Sequence, residues 1–341
     1  MNDIENSMQK ALFKQGWLYS DRWSRIGSPY SYVDGERMGQ NSFTPPPYGT
    51  LTSLSMYYEK YPTLAAILTE DHDTVFDDLR MMLSNLVGQI VGVDRIANQF
   101  DENIECTALT RTQDYCFIKT FCADLPSSPT HIDIGPGLGS HAMYSTKHLN
   151  SRYYGIEVFP FFYEVQRQFF NYLNFMGTNY SDIITAETLG ATDDEITQLV
   201  NSTAPNSITH IPTWQFETLS DNFTDIITAT FVLNETSPSA ITWLLYNCMR
   251  TLKEGGYFYI RDSYKNKPNR HSIKYDEVLV ELGFELAGEL KVTNRVDMFG
   301  IPRVYQKTKS ATIGFEELFD RFFGRLAVTV HQGEYMQNVD K

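Results

Sequence analysis

The residues best placed to do chemistry form a short loop in the middle of the chain. Glycine recurs at every second position, at Gly135, Gly137 and Gly139, directly after an apolar segment that ends in Asp133 and Ile134. At a turn between a strand and a helix, glycine lets the backbone approach a ligand closely. The amide groups of the helix N-terminus then point towards that ligand. The spacing therefore predicts a loop that binds a small molecule.

An acidic residue follows at the distance expected for one strand–helix–strand unit. Glu157 lies near the end of a second strand-like segment, about 20 residues after the first glycine. A carboxylate at the carboxyl end of a strand can accept hydrogen bonds from both hydroxyl groups of a ribose. The two features together favour a ligand that contains a nucleoside over a tight turn followed by a solvent-facing glutamate.

The spacing of the glycines separates two classes of such ligands. Dinucleotide-binding folds carry the pattern GxGxxG, in which the third glycine allows close packing of helix on strand. Here the pattern is GxGxG, and Ser140 stands where the dinucleotide pattern has glycine. The spacing therefore disfavours a nicotinamide-dependent oxidoreductase, which stays an alternative.

Strands and helices alternate from residue 131 onwards, as expected of a parallel sheet with helices on both faces. A helix beginning at Pro160 is expected to stop at Gly177, and another begins at Ser237 and Pro238. A further short helix is expected over 193–201. The predicted strands cover residues 131–134, 153–158, 207–216, 225–230, 257–260, 284–292 and 303–307.

The first 120 residues or so have a different pattern, with an irregular stretch rich in Tyr, Ser, Gly and Pro over 17–50. From Asp73 to Ile90, apolar residues recur at helical spacing, which predicts a helix. A similar apolar stripe over 315–326 predicts a helical tail that packs on its own chain or pairs subunits.

Composition and charge narrow the classes of partner. The chain has 341 residues, with 28 Lys and Arg against 42 Asp and Glu, a net charge of −14. This charge disfavours nucleic acid, which needs a basic surface, and polyanionic acceptors.

No apolar run approaches the roughly 18 residues of a membrane span, and the acidic, polar N-terminus does not resemble a signal peptide. The four cysteines form no CxxC pair, so we expect reduced thiols and a cytoplasmic protein.

The motifs resemble those of class I S-adenosylmethionine-dependent methyltransferases over residues 128–308. In that family an acidic residue and GxGxG follow the first strand, as Asp133 and the three glycines do, and an acidic residue ends the second strand, as Glu157 does. The resemblance implies a Rossmann-like, mostly parallel sheet of seven strands whose last strand is reversed. It also implies S-adenosylmethionine as cofactor, with the glycine loop at its methionine part, Asp133 at its amino group and Glu157 at its ribose.

Under the same resemblance, the adenine pocket comes from the end of the strand over 207–216. Many family members have an acidic residue after this strand, whereas here Trp214 and Gln215 occupy that place. Trp214 covers the adenine in one interpretation and packs in the core in the other. His141, in the first turn after the loop, is expected to pack near the methionine end of the cofactor rather than to act as a base.

Three polar residues after later strands are candidates for catalysis: Glu235, Asp262 and His271. Methyl transfer to a hydroxyl requires in-line alignment and removal of a proton. Glu235 could be the general base, could hold Mg²⁺ together with Asp262, or could simply be stabilised by the following helix dipole. His271 has the side chain best suited to proton removal near neutral pH, but it could equally be a solvated loop residue. No metal ligand is assigned.

A looser resemblance concerns the methyl acceptor. Tyr172-Leu173, Pro212-Thr213-Trp214 and Asn234-Glu235 are similar to short motifs of bacterial sugar O-methyltransferases from surface-polysaccharide and natural-product pathways. This resemblance implies a small-molecule acceptor, a sugar hydroxyl. The alternatives are a non-sugar metabolite, a protein side chain, or a module that binds without catalysis.

We expect three regions along the chain. Residues 1–122 form a mainly helical region that covers the substrate or forms a homodimer. Residues 123–309 form the methyltransferase domain, and residues 310–341 a helical extension.

Overall fold

An eight-stranded sheet runs through the part of the chain that the structure describes. The structure is a computed structural model, and it describes residues 67–91, 101–157, 160–182, 193–201, 203–233, 238–262, 275–289, 301–310 and 312–321. The strands are β1 (Thr130–Ile134), β2 (Arg152–Glu157), β3 (Asn179–Asp182), β4 (Ser207–Pro212), β5 (Thr224–Thr230), β6 (Leu252–Asp262), β7 (Phe284–Glu289) and β8 (Ile301–Lys307).

The helices alternate with these strands, as the sequence predicts. They are α1 (His72–Val91), α2 (Asp101–Phe121), α3 (His141–Leu149), α4 (Pro160–Phe175), α5 (Asp193–Asn201), α6 (Pro238–Thr251) and α7 (Tyr275–Glu281). The predicted helix starts at Pro160 and Pro238 and the stop at Gly177 are confirmed. Gly177 follows α4 with a φ of 100°, a left-handed conformation that favours glycine.

The strand order is β3-β4-β2-β1-β5-β6-β8-β7. Neighbouring strands are parallel, except that β8 runs antiparallel to both β6 and β7, so the predicted reversed strand is confirmed. From β1 the chain proceeds to β2 on one side, while β5 and β6 lie on the other. Ligands bind at such a switch point, beyond the carboxyl ends of the strands. The arrangement is a Rossmann-like α/β fold, and the glycine loop that follows β1 lies at its centre.

Two details of the predicted sheet are wrong. The sheet has eight strands rather than seven, because residues Asn179–Asp182 add an edge strand parallel to β4. None of the residues of this segment is buried, and its sequence lacks the apolar pattern from which a strand could be predicted. The strand predicted over 207–216 also ends earlier, at Pro212, and a 3-10 helix follows over Thr213–Thr218.

Helices cover both faces of the sheet, as predicted. On one face, α6 and α7 pack on apolar side chains of the strands such as Ile132, Ile227 and Phe258. On the other face, α1, α2 and α3 pack on a layer that includes Tyr153 and Tyr259. Helices α1 and α2 therefore share a hydrophobic core with the sheet.

The described part of the tail lies on its own chain. Residues 315–321 are helical, Leu318 is fully buried, and the rings of Phe315 and Tyr246 lie 5.7 Å apart in an edge contact. The pattern predicted for residues 322–326 lies outside the described residues, as does the irregular stretch over 17–50.

The described cysteine side chains match the expectation of reduced thiols: Cys116, Cys122 and Cys248 are buried and free. Among the helices that the structure describes, none is long and apolar enough to cross a membrane.

The core burial predicts the effect of one substitution in β6. Phe258 is fully buried, so Phe258→Ala should lower the free energy of unfolding by about 3–5 kcal/mol through lost burial and a cavity. The matched control Phe175→Ala removes a ring that is 84% exposed at the end of α4, and should change it by only about 0.5 kcal/mol. Urea denaturation followed by circular dichroism measures both, and equal effects would contradict the burial described here.

Candidate functional site

The loop from Gly135 to Gly139 connects β1 to α3 in a conformation that requires glycine. All three glycines have φ between 60° and 80°. A Cβ atom on Gly139 would lie 2.8 Å from a ring carbon of Phe170, so the loop packs tightly against α4. At Gly137, by contrast, no described atom lies within 4 Å of the Cβ position. The loop thus packs against α4 at Gly139, while the space beside Gly137 is open.

Glu157, at the end of β2, is connected to this loop by a residue that the sequence analysis did not identify. The side-chain amide of Gln166 donates to the carbonyl oxygen of Gly137 at 2.7 Å and to Glu157 Oε2 at 2.9 Å. Gln166 is fully buried on α4, and Glu157 is almost fully buried. One amide group therefore fixes the distance between the glycine loop and the carboxylate.

The orientation of Gln166 is fixed in turn by His210 of β4. Because the nitrogen of the Gln166 amide donates to two acceptors, its oxygen must accept the proton of His210 Nε2, at 2.8 Å. Burial, and then the positive charge of Arg167, lower the pKa of His210 well below its ordinary value, so the ring stays neutral. Tyr163 stacks on this ring with 3.5 Å between the centroids.

Asp133, at the carboxyl end of β1, is fully buried and accepts three hydrogen bonds. Oδ2 accepts from the hydroxyl of Tyr153 at 2.6 Å and from His141 Nδ1 at 3.0 Å, while Oδ1 accepts from Thr228 at 2.6 Å. A carboxylate can accept about four such bonds, so Oδ1 retains acceptor capacity. Burial alone would raise the pKa of Asp133, but the charge and hydrogen bond of His141 outweigh it and lower the pKa. The carboxylate is therefore ionised.

His131, two residues before Asp133 on β1, is a neutral histidine whose tautomer follows from its hydrogen-bond partners. Thr228 donates its proton to Asp133, so its oxygen accepts from His131 Nε2 at 2.9 Å. His131 Nδ1 then accepts from the hydroxyl of Ser145 at 2.6 Å. Burial lowers the pKa of His131 to about 3. His131, Thr228 and Ser145 thus form a hydrogen-bonded chain that ends on Asp133.

The 3-10 helix after β4 places Gln215 beside this region. In the sheet register Pro212 pairs with Glu157, so the 3-10 helix begins next to that carboxylate. The side-chain oxygen of Gln215 is buried and accepts no hydrogen bond from any described residue. The side chain of Trp214 lies outside the described residues, so both interpretations of it remain.

The predicted catalytic residues are not brought together within the described part of the chain. Glu235 and His271 lie outside the described residues, and of Asp262, the last residue of β6, only the backbone is described. Among the described residues, no group of three or more His, Cys, Asp or Glu side chains is arranged to hold a metal ion. The roles of these three residues therefore stay predictions.

Comparison with known proteins gives structural likenesses at low similarity. No protein-family model matches the sequence, and no curated protein gives a significant match. One similar structure is an S-adenosylmethionine-dependent methyltransferase from Aquifex aeolicus, with 18% identity and a TM-score of 0.33 over 52% of this chain and 82% of that chain. A methyltransferase from Pyrococcus furiosus has 14% identity and a TM-score of 0.38 over 58% of this chain and 83% of that chain. Magnesium protoporphyrin IX methyltransferase from Synechocystis PCC 6803 with bound S-adenosylmethionine has 14% identity and a TM-score of 0.38 over 70% of this chain and 96% of that chain.

The buried histidine below Asp133 predicts a pH dependence of stability. Between pH 6.5 and about 3, unfolded chains carry a proton on His131 that the native state excludes, so stability falls as the pH is lowered. This residue contributes up to about 1.4 kcal/mol per pH unit. In His131→Gln the slope of unfolding free energy against pH, from urea titrations between pH 6.5 and 4, should be smaller. His210 retains its own contribution, and an unchanged slope would contradict the prediction.

Proposed function

We propose that the chain is an S-adenosylmethionine-dependent methyltransferase. The observation that carries the proposal is the link from the open glycine loop to Glu157 through Gln166, at the switch point of a parallel sheet. A loop of left-handed glycines beside a carboxylate at a fixed distance suits a ligand with a ribose and a charged tail. The GxGxG spacing favours this cofactor over a dinucleotide.

The residues present fit the cofactor at each of its parts. Glu157 would accept hydrogen bonds from the ribose hydroxyls, and the open space at Gly137 leaves room for the methionine chain. Asp133 is an ionised carboxylate with remaining acceptor capacity for an ammonium group. The buried oxygen of Gln215 is an acceptor suited to the adenine amino group. The cofactor supplies an electrophilic methyl group on a sulfonium.

For the acceptor, we propose a hydroxyl of a sugar on a nucleotide, glycan or natural product. The acceptor oxygen bonds to the methyl carbon as the carbon–sulfur bond breaks, and S-adenosylhomocysteine leaves. The proton of the hydroxyl goes to a base, for which Glu235 and His271 are the candidates, with Asp262 as a further polar group. The support is the set of short motifs around Tyr172, Pro212 and Asn234.

We also propose a cytoplasmic location. The three described cysteine side chains are free, as is usual for proteins of a reducing compartment.

Replacement of the carboxylate at the end of β2 tests the cofactor site. In isothermal titration calorimetry, the unmutated protein should bind S-adenosylhomocysteine, and Glu157→Gln should weaken that binding about 10- to 100-fold. The reason is that charge-assisted hydrogen bonds contribute about 1.5–3 kcal/mol. Glu285→Gln, on the exposed side of strand β7, is the matched control and should bind like the unmutated protein. Absence of binding by the unmutated protein refutes the proposed function.

Transfer of a labelled methyl group tests the acceptor. The protein is incubated with S-adenosylmethionine carrying a labelled methyl group and a panel of nucleotide sugars, glycans, amines and peptides. Incorporation into a sugar, at an alkali-stable ether, is the expected result. Incorporation only into amines or peptides would agree with the proposed methyltransferase activity but would refute the proposed sugar acceptor.

A further inference from the structure

A row of ionisable side chains, most of them buried, leads from helix α2 to the glycine loop. Arg261 Nε lies 3.0 Å from Asp114 Oδ1, and Arg111 donates to Asp114 Oδ2 at 2.7 Å. His141 Nε2 lies 3.1 Å from the same Oδ2, and its Nδ1 lies 3.0 Å from Asp133. The row therefore ends on the carboxylate that precedes the loop.

Asp114 is the junction of this row, because its two oxygens serve different elements. Oδ1 faces β6, where it forms an ion pair with Arg261 and accepts a hydrogen bond from the hydroxyl of Tyr259. Oδ2 faces Arg111 and His141, the first residue of α3. A single carboxylate on α2 thus sets the position of the start of α3 relative to β6.

These charges lie in the interior of the protein, where they must be paired. The side chains of Arg261, Asp114 and Asp133 are fully buried. Burial alone would raise the pKa of Asp114, but the guanidinium groups of Arg261 and Arg111 lower it well below its ordinary range. Removal of one partner leaves another charge buried without compensation, so the members of the row depend on each other.

The start of α3 depends on this row because it lacks the usual cap. Ser140 precedes the helix, yet its side chain makes no capping hydrogen bond. Helix N-termini are normally fixed by such a bond. The ring of His141, the first residue of α3, instead lies between Asp133 on one side and Asp114 and Arg111 on the other. The direction of the amide groups that follow Gly139 therefore rests on a residue of α2.

We propose that Asp114 is a positioning residue of the cofactor site, which acts through His141 on the glycine loop and on Asp133. The region before the sheet then forms a structural part of the cofactor site, in addition to any role in covering the acceptor. The ligand in this inference rests on the proposed function, whereas the positioning of the loop does not.

Hydrogen exchange tests the positioning without any ligand. In Asp114→Asn, peptides covering residues 133–146 should exchange at least 10-fold faster, because the amides of Gly135, Gly139 and Ala142 lose a fixed framework for their hydrogen bonds. Asp225→Asn is the matched control. Asp225 is also a buried, paired carboxylate, but it binds Thr130 and Lys253 at the amino ends of the central strands β1 and β5, the ends opposite to the glycine loop. It should leave exchange in 133–146 unchanged.

Cofactor affinity tests the route through His141. Asp114→Asn should weaken the binding of S-adenosylhomocysteine about 10-fold, and Asp225→Asn less than twofold. In a His141→Gln background, the further effect of Asp114→Asn should be less than twofold, because residues that act through one another are not additive. Additive effects, or equal losses in the two aspartate variants, would overturn the inference.

Two outcomes separate this inference from the proposed function. If the unmutated protein binds no S-adenosylhomocysteine, the proposed function fails, and the exchange experiment alone decides on Asp114. If Asp114→Asn does not fold, Tyr259→Phe removes one donor from Asp114 and keeps the ring. It should accelerate exchange in 133–146 by a smaller factor, and unchanged exchange in that variant would overturn the inference.

Discussion

The buried carboxylate of Asp133 is the constraint on which the site depends. An ionised group without access to water must be satisfied by donors, since its desolvation is otherwise too costly. The donors come from three elements: Tyr153 on β2, Thr228 on β5 and His141 on α3. Each donor ties its element to the end of the central strand. The need to satisfy one charge therefore fixes both neighbouring strands and the helix after the glycine loop.

Two polar systems hold the loop from opposite sides. On the side of β5 and α2, His141 joins Asp133 to Asp114. On the side of β2 and β4, Gln166 joins the carbonyl of Gly137 to Glu157 and takes its own orientation from His210. Gly137, whose Cβ position is open, takes part in the second system through its carbonyl oxygen.

The sequence predicts the parts of this site that leave a local signal. A strand followed by GxGxG and an acidic residue one unit later can be recognised without a structure, and so can the alternation of strands and helices. Gln166 could not be identified, because a glutamine on an amphipathic helix has the same appearance whether it faces solvent or a buried loop. Asp114 is hidden in the same way among the polar residues of α2. Strand β3 has no buried position, so only its pairing with β4 makes it a strand.

The same buried row reaches the side of the fold from which the acceptor residues are expected. Phe231, directly after β5, has a φ of 59°, a strained conformation for this residue type, and its N–H donates to the carbonyl of Arg261 at 2.8 Å. The side chain of Arg261 pairs with Asp114. Next along the chain, Val232 packs where a Cβ on Gly135 would lie. The methyl transfer proposed above would depend on close alignment of donor and acceptor. The backbone carbonyl of Arg261 binds the residue that follows β5, and its side chain pairs with Asp114, which positions the start of α3. The segment after β5 and the glycine loop therefore both depend on Arg261.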